Sequence, residues 1–326
     1  MKRIIILFCF TAMVNLCKAQ VAEGLTPLQR KQLTVLAEPA TLYKGFFRLG
    51  YDIKYSRPGR SFDRNGVNRT PEDFSYTGNY VEHLFTASYG INDRIQITAS
   101  LPITNDNLRA EVKSQAGTQV VDTEIKIVSK GIADLRADIQ FQVIKETKQV
   151  PAVVFGFGAW LPTGNNKRSI QTDPVTSDTK YEEITGGVGS SIVTSLMVRK
   201  VMYPYLFAAE FKYFFGADGK IIENNTSIDV MGANSAVWQV VSGMHLNEWI
   251  TITGKLFYQR LSFDSDVPPN TTVPLIDNSK KELLSFDPTL TFQFGRFRSQ
   301  QFISIPISGK NYSSELEYSA SLVYTF

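Results

Sequence analysis

Cysteine is almost absent from this chain of 326 residues, which holds only Cys9 and Cys17. Both fall in a segment that reads as a cleavable leader, so the mature chain is expected to have no disulfide, no thiolate nucleophile and no cysteine-ligated metal. Histidine is as scarce, leaving His83 and His245 as the imidazoles able to act as a base. An excess of one charge is missing too. The formal +3 comes from Lys2, Arg3 and Lys18; without them the 34 basic residues fall to 31, equal to the 31 acidic ones. That balance gives no electrostatic case for nucleic acid. Beyond the leader, no apolar run approaches the roughly 20 residues that a transmembrane helix requires.

The leader itself is explicit. Lys2-Arg3 precede an apolar run from Ile4 to Val14, and Ala19 supplies the small residue for cleavage. Leu16 is too bulky to precede a lipidated cysteine, so the reading is a signal peptide over residues 1–19. A periplasmic segment follows over 20–42, where Thr26-Pro27 can cap a short helix reaching about Leu36. That segment reads either as a loose leader or as a plug in a barrel mouth. Residues 43–326 carry a different pattern.

The pattern is clearest in the last eleven residues. Leu316, Tyr318, Ala320, Leu322, Tyr324 and Phe326 alternate with Glu317, Ser319, Ser321 and Thr325. Period-2 alternation puts one face in an apolar medium and one in a polar medium. A strand of about ten residues, tilted by about 45°, is long enough to cross a bilayer. About twelve such segments run from Tyr43 onward, among them Tyr43 to Tyr55, Arg94 to Ile103, Leu135 to Val143, Pro151 to Leu161 and Tyr205 to Phe215. The sixth is placed at Thr185 to Val198. Short links such as Gly90 to Asp93 and Asn247-Glu248 alternate with long polar ones such as 57–77, 104–130 and 261–282. This predicts an all-β, antiparallel up-and-down transmembrane barrel with short periplasmic turns and long extracellular loops. Within the second loop, Val120 to Val128 reads as a separate hairpin, and Pro102, Pro162 and Pro306 read as rim terminators. Tyr43, Tyr55, Tyr80, Tyr89, Trp249, Tyr258 and Tyr318 suit the interfacial girdles.

If the apolar register faces lipid, the other register lines the interior. The lumen candidates are then Lys44, Arg48, Asp52, Glu82, Asp134, Arg136, Asp138, Glu210, Lys212, Lys255, Asp287 and Glu317, with Phe46, Trp160, Phe214 and Phe257 in the same register. Two readings are open: a salt-bridged filling of a narrow barrel, or a polar conduit lined by both signs. The aromatics could contact an apolar or aromatic solute or pack on one another. Asp63 to Asn65, Asn105 to Asn107 and Asp264 to Asp266 place oxygen atoms in loops, but their spacing is that of solvated turns, so no metal and no cofactor is expected.

Several segments carry a resemblance. The terminal strand ending on Phe326, with Tyr324 two places before it, resembles the C-terminal strand by which outer-membrane barrels are recognised for assembly. Tyr89-Gly-Ile-Asn-Asp-Arg-Ile95, Ala99-Ser-Leu-Pro102, Gly131-Ile-Ala-Asp-Leu135 and Leu161-Pro-Thr-Gly164 resemble, in order and spacing, outer-membrane barrels of the meta-pathway phenol-degradation family. Where that family often has Gly-Thr-Gly, this chain has Ile184-Thr-Gly186. The resemblance implies a channel-like barrel linked to aromatic uptake. An outer-membrane phospholipase is the enzymatic rival, yet its His-x-Ser arrangement is missing because Phe85 stands two places after His83. The expected function is therefore a non-enzymatic channel or facilitator for small, hydrophobic or aromatic molecules in the outer membrane. The alternative is a closed barrel acting as a surface scaffold or adhesin through its loops. Expected partners are outer-membrane lipids, the barrel-assembly machinery and a small solute.

Overall fold

A computed structural model describes residues 41–57, 61–62, 68–69, 74–116, 119–173, 179–186, 189–230, 232–263, 280–310, 312–313 and 316–326. The leader, the segment at Thr26 to Leu36 and the oxygen-rich turns at Asp63 and Asp264 lie outside them. Twelve strands form the wall. They are β1 (Phe47–Ser56), β2 (Phe74–Asn92), β3 (Ile95–Ala116), β4 (Leu135–Ile144), β5 (Ala152–Leu161) and β6 (Ser191–Met202), followed by β7 (Tyr205–Gly216), β8 (Ala233–His245), β9 (Ile250–Phe263), β10 (Lys280–Phe294), β11 (Phe297–Lys310) and β12 (Glu317–Thr325). Each pairs antiparallel with its chain neighbours, and β1 pairs with both β2 and β12, so the sheet closes. Closure satisfies the edge groups that an open sheet would leave bare in lipid.

The register follows the sequence alternation. Phe157, Leu196, Val240, Leu256 and Leu322 project outward and are exposed, while Ser88, Thr251, Thr291 and Ser321 face inward and are buried. Tyr80, Tyr89, Trp249 and Tyr318 are exposed on the outer surface. Tyr55 and Tyr258 are half-buried, and Tyr43 stands in the turn before β1.

Strand lengths depart from expectation on one side of the barrel. The segment predicted as a hairpin of its own, Val120 to Val128, belongs to a strand, Gln119–Ile132, that pairs with β3 from Ile103 to Ala116. It continues into β4 after a break at Ala133-Asp134, because β3 pairs β4 only over Ile95 to Ser100. The pair of walls therefore rises about 40 Å along the strands beyond Ile103, at about 3.3 Å per residue. Pro102 is not a terminator: it is fully buried inside β3, and its missing N–H sits beside the irregularity at Ala133, whose N–H donates to the Pro102 carbonyl at 2.9 Å. Pro306 likewise lies within β11 and Asn105 to Asn107 lie within β3, where Asp106 Oδ1 accepts from Val81 N at 3.0 Å. β6 begins at Ser191, six residues later than predicted.

That break is held by the motif residues. Thr163 Oγ1 donates to Ala133 O at 3.2 Å and accepts from Leu135 N at 2.9 Å. Gly164 N donates to Asp134 Oδ1 at 3.1 Å, and Thr185 Oγ1 donates to Ile132 O at 2.6 Å while accepting from Asn165 N at 2.9 Å. Gly186, at φ +156°, passes so close to the Asp134 carboxylate that any Cβ would strike it. Three separate sequence motifs thus meet at one rim node. Gly186→Val is expected to loosen this node and lower the denaturation temperature by several degrees, read by loss of the heat-resistant band on gels; an unchanged temperature would show that the node is dispensable.

Further strands extend the wall. Thr179–Glu182 pairs parallel with the strand Gln119–Ile132 and antiparallel with Lys167–Thr172. Gly219–Glu223 joins Lys167 and Arg168 in parallel and pairs with Thr226–Val230. Arg168 ties two loops together, reaching Glu183 at 2.9 Å and Glu223 at 3.4 Å.

At the opposite end the connections are tight, and the chain closes there. Phe326 N donates to Phe47 O at 2.7 Å, and its ring lies 5.8 Å from that of Phe47 and 4.7 Å from that of Tyr324. The terminal residue thus joins the seam between β1 and β12. Deleting Phe326 is expected to reduce folded barrel in the envelope severalfold, measured as the heat-modifiable species. Unchanged levels would separate the terminal aromatic from assembly.

Candidate functional site

The inward register gathers charge from both sides of the barrel. Arg48 and Asp52 on β1, Glu82 on β2, Arg136 and Asp138 on β4, Glu210 and Lys212 on β7, Lys255 on β9 and Asp287 on β10 share this face with Glu317 at the loop end of β12. Their alternation with outward apolar residues fixes that face, since a register slip of one would turn every charge to lipid. Two candidates lie elsewhere. Lys44 is exposed in the turn before β1, where its N–H donates to Asp93 Oδ1 at 3.0 Å. Asp134 holds the rim node instead of lining a strand. Phe46 also precedes β1 and packs edge-on against Tyr43.

The ion pairs run along the wall. Lys255 and Asp287 are directly opposed on β9 and β10, 2.9 Å apart, and Ser285 and Ser304 also donate to that carboxylate, at 2.9 and 2.7 Å. Lys212 reaches Glu210 two places away on its own strand at 3.2 Å, and the side chain of Gln239 on the next strand donates to the same Glu210 carboxylate. Glu82 lies 3.7 Å from Lys54, its cross-strand partner, and 3.9 Å from Arg136. Lys54 was not among the predicted lumen residues. Pairing between neighbours satisfies buried charge without drawing side chains to the barrel axis.

Space remains between the walls. A cavity of about 470 Å³ is bordered by Arg48, Asp52, Asp138, Lys212, Lys255 and Ser321, taking residues from β1 to β4, β7 to β9 and β12. A recess of about 200 Å³ adjoins it through Asp138, Gln140 and Lys212, and carries Trp160 and Phe214. A third hollow, also about 470 Å³, is bordered by outward residues such as Tyr51, Phe85, Ala87 and Ala99 and so opens to the lipid side.

Aromatic rings stand beside the cations. The Arg136 guanidinium lies 4.4 Å from the centre of the Trp160 ring, which meets Phe214 edge-on at 5.1 Å. Lys255 Nζ lies 5.6 Å from Phe257 and 5.3 Å from Phe302. Such contacts are worth about 0.5–2 kcal/mol and hold each cation against the wall.

No family model matches the chain, and no curated protein does. Solved structures do. An outer membrane channel from Pseudomonas putida F1 superposes with a TM-score of 0.64 at 12% identity, over 89% of this chain and 98% of that one. The CymD monoaromatic hydrocarbon channel gives 0.40 at 11%, over 94% of each chain, and the Ralstonia pickettii toluene transporter TbuX gives 0.42 at 12%, over 87% and 90%. The fold is that of an outer-membrane β-barrel. At this identity the likeness carries the architecture and no residue roles.

In this outer-membrane barrel the two histidines lie on opposite faces. His83 is outward, its Nδ1 2.8 Å from the Tyr51 hydroxyl. His245 is buried on the inner face at the turn end, its Nδ1 2.7 Å from the Thr251 hydroxyl and its ring stacked on Tyr203. Among the described residues no group of three His, Cys, Asp or Glu side chains could hold a metal ion.

The turn end of the lumen carries a feature absent from the predicted set. Thr41 and Leu42, just ahead of β1, are buried against the inner wall, with Leu42 N donating to Gln96 Oε1 at 2.7 Å and Thr41 Oγ1 to Gln142 Oε1 at 3.0 Å. Gly90 makes room for them, since a Cβ there would strike the Tyr43 carbonyl. Inward-facing glutamines at the turn end of β3 and β4 were the sequence signal for such a strap.

Proposed function

We propose that the protein is a passive channel for small molecules in the outer membrane, with its tight turns in the periplasm and its long strands outside. The observation that carries this reading is the pairing of lumen charges along the wall, beside which lie two adjoining cavities of about 470 and 200 Å³ inside a closed barrel. A filled barrel would pair those charges across the axis. The Pseudomonas putida fold relative is itself an outer membrane channel. The motif resemblance to phenol-degradation-family barrels adds aromatic solutes to the range. The narrow, charge-balanced lumen excludes large polymers and favours neither bulk anions nor bulk cations.

Purified barrel reconstituted in planar bilayers is expected to give small, ohmic conductance steps, and the same protein in liposomes is expected to admit arabinose. Absence of both would return the closed scaffold reading, with function in the extracellular strands.

A further inference from the structure

One acceptor beside the main cavity has no donor. Lys212 pairs with Glu210 at 3.2 Å and Lys255 with Asp287 at 2.9 Å, and no cation forms an ion pair with Asp138 on β4. Among the described residues Asp138 makes no hydrogen bond either, although its Oδ2 is buried. The neighbouring strands show why. Its partner on β3 is Thr98, whose hydroxyl is engaged with Ser88 Oγ and Gln96 Nε2, each at 3.1 Å. Its partner on β5 is Gly158, which has no side chain to donate, and Gly156, next in the same register, offers none. A buried acceptor without a donor costs free energy, which a donating ligand removes. Asp138 borders both the main cavity and the recess, so a solute in the main cavity lies beside it.

We propose that the main cavity is a binding subsite for small neutral polyols, aldopentoses among them, whose hydroxyls donate to Asp138. The proposal rests on the channel reading for its route of access. Charge selects against the other classes of solute. The groups bordering the cavity balance, Arg48, Lys212 and Lys255 against Asp52, Asp138 and Glu210, so no net charge draws in an ion. An anion is repelled by Asp138, a cation meets Lys212 and Lys255 beside it, and an apolar solute leaves the carboxylate bare. A hydroxyl that donates to a carboxylate makes a charge-assisted bond, shorter and stronger than a neutral one. The rest of the lining suits the same ligand. On β2 and β3 the Thr86 and Ser100 hydroxyls lie 3.3 Å apart, and both residues are half-buried at the cavity. Each hydroxyl donates once and accepts twice, so a pair bonded to each other keeps lone pairs and one hydrogen for a solute. From the facing wall Gln239 spends its amide nitrogen on Glu210 and keeps its carbonyl oxygen as an acceptor. The volume, about 470 Å³, falls within the roughly 300–1,000 Å³ of small-molecule sites.

Binding is measured apart from passage by saturation-transfer NMR on the folded barrel in a polyoxyethylene detergent, which carries no sugar headgroup. Arabinose is expected to bind saturably, at least about tenfold more tightly than dioxane, a neutral ring with oxygen acceptors and no donor. Asp138→Asn is expected to weaken arabinose about tenfold, because the amide puts a donor where the ligand needs an acceptor. The same variant should have a thermal midpoint no lower than that of the parent barrel, since the carboxylate has no partner to lose. Ser100→Ala, checked for the heat-modifiable folded form, should weaken arabinose severalfold. Arabinose bound no more tightly than dioxane, or bound equally by Asp138→Asn, would overturn the subsite. A lower midpoint in Asp138→Asn would overturn it too, by showing that the carboxylate already has a partner in the barrel. Liposome swelling keeps the two readings apart. Arabinose entry without saturable binding sinks the subsite and leaves the channel, while saturable binding without entry leaves the subsite and sinks the open channel.

Discussion

Arg199→Ala is expected to destabilise the barrel by about 3–5 kcal/mol, the usual cost of breaking a buried ion pair from one side. Arg199 is 1% exposed on the inner face of β6, and its Nη2 lies 2.7 Å from Glu146 Oε2 in the turn between β4 and β5. The same carboxylate accepts from Val201 N at 2.5 Å. Next to it Lys200 Nζ donates to the carbonyls of Thr147 and Lys148, at 2.5 and 2.8 Å. Losing the guanidinium leaves Glu146 largely buried without its cation and frees the turn that β6 holds down. Urea or thermal titration of folded barrel in micelles should show a lower midpoint, whereas Lys200→Ala, whose partners are exposed, should cost far less. Equal effects would mean that the turn is held by its backbone alone.

Ile97→Lys should also destabilise the barrel, and the same change at its neighbour should not. Ile97 is 42% exposed on the outer face of β3, opposite Tyr89 and Ile139, whereas Thr98 faces inward with its hydroxyl 3.1 Å from that of Ser88. A lysine on the lipid face costs about 2–4 kcal/mol at the midplane and about 0–1 at the interface. Ile97, opposite Tyr89 and close to the tight turn, stands between the two, so about 1–2 kcal/mol is expected there and little in the lumen. Refolding into lipid vesicles, compared between Ile97→Lys and Thr98→Lys, measures that difference. Equal tolerance would contradict the outward assignment of the apolar register.

The wall of the barrel was legible because its chemistry repeats every second residue. Twelve strands, their order and the direction of each side chain follow from that alternation, and so does the inward placement of charges such as Arg136, Lys212 and Asp287. Boundaries were less legible wherever the wall leaves the membrane. Val120 to Val128 keeps the alternation of a strand, yet nothing local states that it lies against residues 103–116 instead of folding on itself. Pro102 reads as a stop because its missing N–H weakens pairing, and only the irregularity on the neighbouring strand shows how the sheet absorbs it. Lys44 and Asp134 have the right parity but stand just outside their strands, where parity no longer fixes direction. Gly156 and Gly158 were visible as letters that alternate with Phe155 and Phe157. Their meaning depends on Arg136, Trp160 and Lys212, which only the fold brings to the same recess.

The closing pair, β1 with β12, has a consequence in time. Every other pairing among the twelve barrel strands joins neighbours in the order β1 to β12, so those contacts form over shorter chain separations. The pairing of Arg48 with Thr325 through Ser56 with Glu317 joins the two ends of the barrel sequence. Loop-closure entropy and contact order make that the slow step. A partly folded barrel is therefore an open sheet with both edges bare, and the interval before nine residues of β12 find β1 is when the chain is most exposed to aggregation.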